Sequence, residues 1–308
     1  MEKFELHILG CGSALPTTRH FATSQVVNLR DKLFMIDCGE GAQMQLRKSR
    51  LKFSRLNHIF ISHLHGDHCF GLMGLISTFG LLGRTAELHI HSPKGLEELL
   101  TPMLNFFCHT LAYKVIFHEF DTRQTSVVYE DRSMTVTTIP LQHRIPCCGF
   151  LFAEKARPNH IIRDMVDFYK VPVYELNRIK NGSDYVTPEG EVIANTRLTR
   201  PSDPQKVCLL FRYDFRPEIV EQLSGCRLTF HVSDLCRIRV GTCQRNLSYY
   251  SCSGGTDSFG GRGTPVGNRS LFCPLRRREY FAERSFGGIP EYDSGKRKFV
   301  YKSLIPGK

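Results

Sequence analysis

Along the first half of the chain, short apolar runs recur between turn-forming residues. Runs at residues 4–10, 25–29, 33–37, 58–62, 87–91, 114–119 and 134–139 are rich in Val, Ile, Leu and Phe, the pattern of buried strands. Between them the apolar period lengthens. Residues 70–82 place Leu72, Leu75, Ile76 and Phe79 on one helical face, and residues 40–50 read as another helix. Leu96–Leu104 follows Pro93-Lys94-Gly95 as a helix entered from a strand. The alternation predicts a strand-rich α/β sandwich with its loops at strand ends, and 308 residues suffice to bury one large core.

The pattern changes at residue 150. Residues 150–206 carry nine bases against eight acids, with prolines at 158, 172, 188, 201 and 204. They read as an insert containing a Tyr185–Ile193 hairpin that turns on Glu189-Gly190. Further on, Asp214–Gly225 reads as a helix entry and an amphipathic helix, whereas Gly254–Gly267 has no period and is assigned no structure. The expected organisation is a first half-domain at 1–149, an insert at 150–206 and a second half-domain at 207–308.

Charge sharpens this division. The net charge of +11 looks like a nucleic-acid footprint, but residues 1–206 hold 24 Lys or Arg against 21 Asp or Glu, and residues 207–308 hold 17 against 9. The basic excess therefore lies mostly outside the His-rich region, since twelve of thirteen histidines precede residue 161. Twelve cysteines without a compact secreted framework read as reduced thiols. No run approaches the roughly 20 apolar residues of a membrane span. Phe4–Gly10 is strand-length and follows Glu2 and Lys3, unlike a signal peptide. A soluble cytoplasmic protein is expected.

The chemistry concentrates where Ile59-Phe60-Ile61 runs into Ser62-His63-Leu64-His65-Gly66-Asp67-His68. Three imidazoles and a carboxylate within six residues, on a loop leaving a strand, are the donors that divalent zinc prefers. A solvated His-rich loop explains neither the strand context nor the Asp inside the cluster. The motif reads as a metal-hydrolase signature, and four donors on one loop can serve two ions.

His-x-His-x-Asp-His after a strand resembles the metallo-β-lactamase superfamily. Leu9-Gly-Cys-Gly-Ser-Ala-Leu-Pro-Thr17, Phe34-Met-Ile-Asp-Cys-Gly-Glu-Gly-Ala-Gln43 and Pro140-Leu-Gln-His-Arg-Ile-Pro146 further resemble blocks of the ribonuclease Z family, tRNA 3′-end-processing endonucleases. The resemblance runs from residue 4 to about residue 206. It implies a metallo-β-lactamase αβ/βα sandwich with an inserted tRNA-gripping arm, two zinc ions per protomer, precursor tRNA as substrate and a homodimer. His63, His65 and His143 would hold the first zinc, and Asp67 and His68 the second. Asp67 would also take a proton from the attacking water. Asp37 would support the metal loops as a hydrogen-bond acceptor, and Arg178 and Lys180 of the arm would contact phosphate. The arm lacks the family's usual Gly-Pro-rich stretch. His89, His91, His109, His118 and His160 match no ligand position and read as ordinary surface or core histidines.

The resemblance breaks after residue 206. The family's Ser-Asp-Thr, whose Asp bridges both ions, its His-Ser/Thr-Thr and its Gly-His-Phe-Ser, whose His binds the second zinc, are absent. Arg212 stands where the bridging Asp belongs, and Asp214 comes two residues late. Val207–Asp214 can be encoded GTA TGC TTA TTG TTC CGA TAC GAT, which one nucleotide later reads Tyr-Ala-Tyr-Cys-Ser-Asp-Thr. At the same offset Val240–Cys252 permits Tyr-His-Thr-Thr-Ala, and Arg269–Arg276 permits Gly-His-Phe-Ser-Ala-Arg-Tyr. Three recoveries in order point to a frame lost, regained across Asp214–Gly225 and lost again, in the gene or in its sequencing. As written, residues 207–308 would then be a degenerate second half, without its final strands and with fewer than two zinc ions held. Three functions stay open: a zinc-dependent endoribonuclease removing 3′ trailers by metal-hydroxide attack on phosphorus, an inactive remnant of it, or another superfamily phosphodiesterase or arylsulfatase. The arm argues against the last, because a small substrate needs no distant grip.

Overall fold

The computed structural model describes residues 4–12, 15, 20–202, 204–211, 226, 228–232, 238–241 and 300–303. Strands β1 (Phe4–Gly10), β2 (Ser24–Leu29), β3 (Lys32–Ile36), β4 (Leu56–Phe60), β5 (Leu88–Pro93) and β6 (Val115–Phe120) form the first sheet in that order. The seven residues of β1 are all buried, with Glu5 and His7 3.1 Å apart and Asn28 of β2 donating to Glu5. Between β2 and β3 the chain turns on Arg30 and Asp31, with φ of 53° and 65°, the conformation of a tight two-residue hairpin. From β3 to β6 the strands run parallel, so their connections cross over through α1 (Ala42–Lys48), α2 (Gly66–Cys69), α3 (Leu72–Leu81) and α4 (Leu96–Phe107).

The second sheet begins with β7 (Val127–Glu130), β8 (Met134–Leu141) and β9 (Cys147–Glu154). The chain then leaves it for β10 (His160–Ile161), α5 (Arg163–Phe168), α6 (Leu176–Lys180), β11 (Tyr185–Val186), β12 (Val192–Ile193), α7 (Asn195–Leu198) and β13 (Thr199–Arg200). It returns as β14 (Lys206–Phe211), followed by β15 (Leu228–Val232), β16 (Ile238–Gly241) and β17 (Val300–Ser303). The second sheet has the order β16-β15-β14-β9-β8-β7, and β17 lies beside β1.

Two apolar layers hold these elements together. Phe34 and Phe60 from the first sheet meet Phe150 and Phe152 from β9 between the sheets. The opposite face of the first sheet, with Val26, Met35, Ile59 and Ile90, packs against Leu46, Leu75, Ile76, Phe79 and Leu100 of the helices. Each such side chain contributes about 1.5–3 kcal/mol on full burial, which fixes the strand ends against one another. The insert has a separate cluster of Val166, Val171, Ile179, Tyr185, Ile193 and Leu198.

The strands and helices expected within residues 1–149 appear within a few residues of their predicted bounds, and α4 runs on to Phe107. The Tyr185–Ile193 hairpin forms, with Gly190 at φ +88°. Strands β7 and β9 were not expected, and β9 spans the 149/150 boundary, so the excursion from the sheet occupies residues 155–205. A sheet without its final strands was expected. Of residues 207–308 the described part includes most of β14, which pairs with β9, and β15 and β16 beside it. Arg212 and the readings at 214–225, 254–267 and 269–276 lie outside the described residues.

A candidate metal centre at the strand ends

Parallel strands send their outgoing loops to one edge of a sheet. There the loop after β3 and the loop after β4 lie side by side, joined by Asp37 N–H to Phe60 O at 2.8 Å and Cys38 N–H to His68 O at 2.7 Å. Two glycines permit this approach. A Cβ on Gly39 would stand 2.4 Å from the Asp67 carbonyl, and one on Gly71 would stand 2.1 Å from the Gly39 carbonyl. Asp37 adopts the left-handed conformation, with φ of 55°, which Asp tolerates better than most residues.

That turn places the fully buried Asp37 carboxylate at the centre of a hydrogen-bond array. Asp37 Oδ1 accepts from Ser62 N–H at 2.8 Å, and Oδ2 accepts from Ser62 Oγ–H at 2.9 Å. His68 Nδ1 lies 2.6 Å from Oδ2, the separation of a charge-assisted bond. With the Ser62 hydroxyl hydrogen directed to Asp37, Ser62 Oγ accepts from His63 Nδ1–H at 2.9 Å. This assignment puts the ring proton of both histidines on Nδ1 and leaves their Nε2 lone pairs for a metal. Ser62 was missed in the sequence. Its only signal was a hydroxyl residue directly before the first histidine, on the strand beside Asp37.

His143 comes from the second sheet, on the loop between β8 and β9, held there by Cys148 N–H to Ser62 O at 3.1 Å. One ligand atom from each of His63, His65 and His143 lies within 4.8 Å of the others. The three rings stand 4.8, 5.0 and 5.0 Å apart at 79°, 76° and 84°, a tripod of nearly perpendicular planes. His65 Nδ1 and His143 Nε2 are 3.3 Å apart. Beside the tripod, Asp67 Oδ2 lies 3.6 Å from His68 Nε2, and the His68 ring is 3.9 Å from that of His63. Asp67 Oδ2 is buried and makes no hydrogen bond among the described residues. Three converging imidazoles and a buried bare carboxylate oxygen fit a divalent ion with zinc's preference for nitrogen and oxygen.

The nearby thiols are neutral. Burial first, then the Asp37 charge, pushes the Cys147 thiol well up, and burial with Asp37 and Asp67 moves Cys69 to about 11. Arg178 and Lys180 sit exposed on α6 of the insert, and no hydrogen bond or ion pair among the described residues links them to the histidines. Arg178 Nη1 already pairs with Glu175 Oε2 at 3.2 Å.

Two facing sheets, outer helices and a His-rich loop at the parallel strand ends define a hydrolase of the metallo-β-lactamase fold. A family profile described as anti-Pycsar protein Apyc1 matches residues 4–157. A ribonuclease Z of Bacteroides fragilis strain YCH46 is 94% identical over 232 residues, covering 75% of this chain and 76% of that protein. A ribonuclease Z of Bacteroides thetaiotaomicron is 81% identical, covering 75% and 73%. The crystal structure of human tRNase Z, short form, shares the fold with a TM-score of 0.52 at 24% identity, covering 74% of this chain and 76% of that one. The chain belongs to the ribonuclease Z family.

Proposed function

We propose that the chain is, by lineage, a zinc-dependent endoribonuclease that removes the 3′ trailer from precursor tRNA. The convergence of His63, His65 and His143 in a member of this family carries the reading. These three would hold the first zinc, and Asp67 and His68 the second. Bound there, zinc supplies an acidified water and offsets the charge that builds on the phosphate. Asp67, whose buried Oδ2 makes no hydrogen bond among the described residues, would take up a proton from the attacking water. Asp37 and Ser62 hold His63 and His68 through Nδ1 and leave Nε2 for the metal, and the cut would leave a 3′-hydroxyl on the tRNA and a 5′-phosphate on the trailer.

The division into residues 1–149, an arm at 150–206 and 207–308 belongs to the same reading. The arm's own apolar cluster supports its role as a grip on the tRNA body, with Arg178 and Lys180 meeting phosphate. A homodimer in the cytoplasm is part of the proposal. Leu99, Met103, Phe106 and Phe107 form an exposed stripe at helical spacing along α4, the kind of surface that subunit contacts cover. No helix among the described residues is long and apolar enough to cross a membrane.

A second reading makes the chain an inactive remnant. Arg212 where the family has its bridging Asp, and the absent second-zinc His, favour it. The test incubates the purified chain and zinc with precursor tRNA and, separately, with a small aryl phosphodiester. Trailer release with two zinc ions per protomer supports the endoribonuclease, and one weakly held zinc without turnover supports the remnant. Turnover of the small diester alone would move the substrate elsewhere in the superfamily. Resequencing codons 200–308 then decides whether the family's Asp and two His return in one frame.

A further inference from the structure

A second histidine group lies away from the metal loop. β4, β5 and β6 are parallel and in register, with His58 opposite His89 and His91 opposite His118. Four imidazoles thereby gather on the face of the first sheet that looks toward β7. His58 Nδ1 and His91 Nε2 are 3.2 Å apart, and His89 Nδ1 and His118 Nε2 are 3.0 Å apart. His58 stacks on His89 at 4.9 Å and 16°, and His91 on His118 at 4.7 Å and 16°. Phe60 covers His91 at 4.5 Å, and Tyr129 of β7 packs 4.5 Å from His58.

The geometry separates this group from a metal site. Between His58 and His91 the ring centres are 5.5 Å apart for an N···N distance of 3.2 Å. Between His89 and His118 they are 5.2 Å apart for 3.0 Å. Each difference matches the two centre-to-nitrogen distances laid end to end, so the nitrogens lie on the line of centres and face each other. His65 and His143 differ, with 5.0 Å between centres for an N···N distance of 3.3 Å, so their nitrogens point to a shared spot off that line. A collinear pair is an N–H···N hydrogen bond, which holds one proton and has no room for a second.

We propose that the His58–His91 and His89–His118 pairs form an acid-sensitive clamp that ties β4 to β5 and β5 to β6 on the sheet face where Tyr129 of β7 packs. A proton added to the acceptor nitrogen of either pair sets N–H against N–H and places charge among neighbouring rings. The ionisable groups facing the cluster are Arg84 and Glu87 before β5, Glu119 on β6, Tyr129 on β7 and Asp131 beyond it. Asp131 is engaged by Lys32 at 2.6 Å, and Glu119 accepts from Gly95 N–H. A cleft of about 350 Å³ beside His91 and His118, lined also by Glu119, Asp121 and Val128, gives water and protons a way in.

The electrostatics agree with the geometry. Burial, then the neighbouring imidazoles, push His58 down to about 4 and His91 to about 3, and lower His89. In the unfolded chain these groups take up protons near the ordinary 6.5. The clamp's stabilisation is therefore complete above about pH 6.5 and is lost as pH falls toward 4 and then 3.

The test is hydrogen exchange of the full chain at pH 7.5 and pH 5, corrected for intrinsic exchange, with chemical denaturation at both pH values. Protection of residues 115–130 is expected to fall about tenfold or more at pH 5 relative to residues 24–36. His58→Phe/His91→Phe, whose rings suit the surrounding Phe34, Phe60 and Tyr129, should remove up to tenfold per pH unit for each histidine from the acid dependence of folding. His89→Gln/His118→Gln, at the more open pair, should blunt the local loss if the first variant fails to fold. Equal protection of both segments at pH 5, or unchanged acid dependence in the folded variants, would overturn the proposal. The metal-loop residues are identical in all three proteins and drop out of the comparison.

Discussion

Two groups of histidines lie in one sandwich, with opposite chemistry. At the strand ends, nearly perpendicular rings aim their nitrogens at a common point, and Asp37 with Ser62 presets the tautomers of His63 and His68. On the flank, rings inclined by only 31° and 22° aim their nitrogens at each other and use their lone pairs internally. Ring spacing is similar in both, so proximity of imidazoles does not identify a metal site. The angle between lone pairs does, and backbone origin sets that angle. Loops from both sheets let rings approach from different sides, whereas in-register parallel strands stack them.

The largest effect that could break this contrast is loss of a tripod ligand. His65→Ala or His143→Ala is expected to lower zinc affinity more than a hundredfold in a competition titration with a chelating dye, while His91→Phe leaves it within twofold. Smaller, and a test of tautomer control, is Asp37→Asn, expected to weaken zinc 10- to 100-fold. Ser62→Ala should fall at the lower end of that range, with Ser62→Thr restoring most of the loss. Both groups work through ring lone pairs, yet only the tripod offers them to a metal. Excess zinc should therefore shift the acid midpoint of tripod occupancy downward, and leave pH-dependent exchange at residues 115–130 unchanged. The smallest effect lies far from both clusters. Arg178→Ala/Lys180→Ala is expected to reduce the salt dependence of precursor-tRNA binding by about one to two in log–log slope, without changing turnover of a small diester.

Much of the tripod was legible because local sequence carries it. Ile59–His68 holds its donors on one loop, and Pro140–Pro146 brings His143 in a recognisable block. Strands such as β3 and helix α3 were legible from their period, since burial on both faces or along one stripe leaves an unbroken signal. Strand β7 escaped because four half-exposed residues give no stripe, and β9 because it starts directly after Pro146. The flank cluster was invisible for another reason. His58, His89 and His118 are separated by about thirty residues each, and only the register of parallel strands lines them up. Taken singly they read as ordinary core histidines, and Ser62 as an ordinary serine.

The arm leaves the second sheet and rejoins it at neighbouring positions, where Lys155 N–H also meets Ser133 O at 2.9 Å. Ala153 on the outgoing strand faces Lys206 on the returning one, and Glu154 N–H meets Gln205 O at 2.8 Å. The roughly fifty residues between them pass through one doorway and bury their own apolar side chains. Their length can change without altering the distance between His65 and His143. The insert thus has its own core and one place of attachment, so an ancestral sandwich could exchange one insert for another while its histidine loops stayed in place.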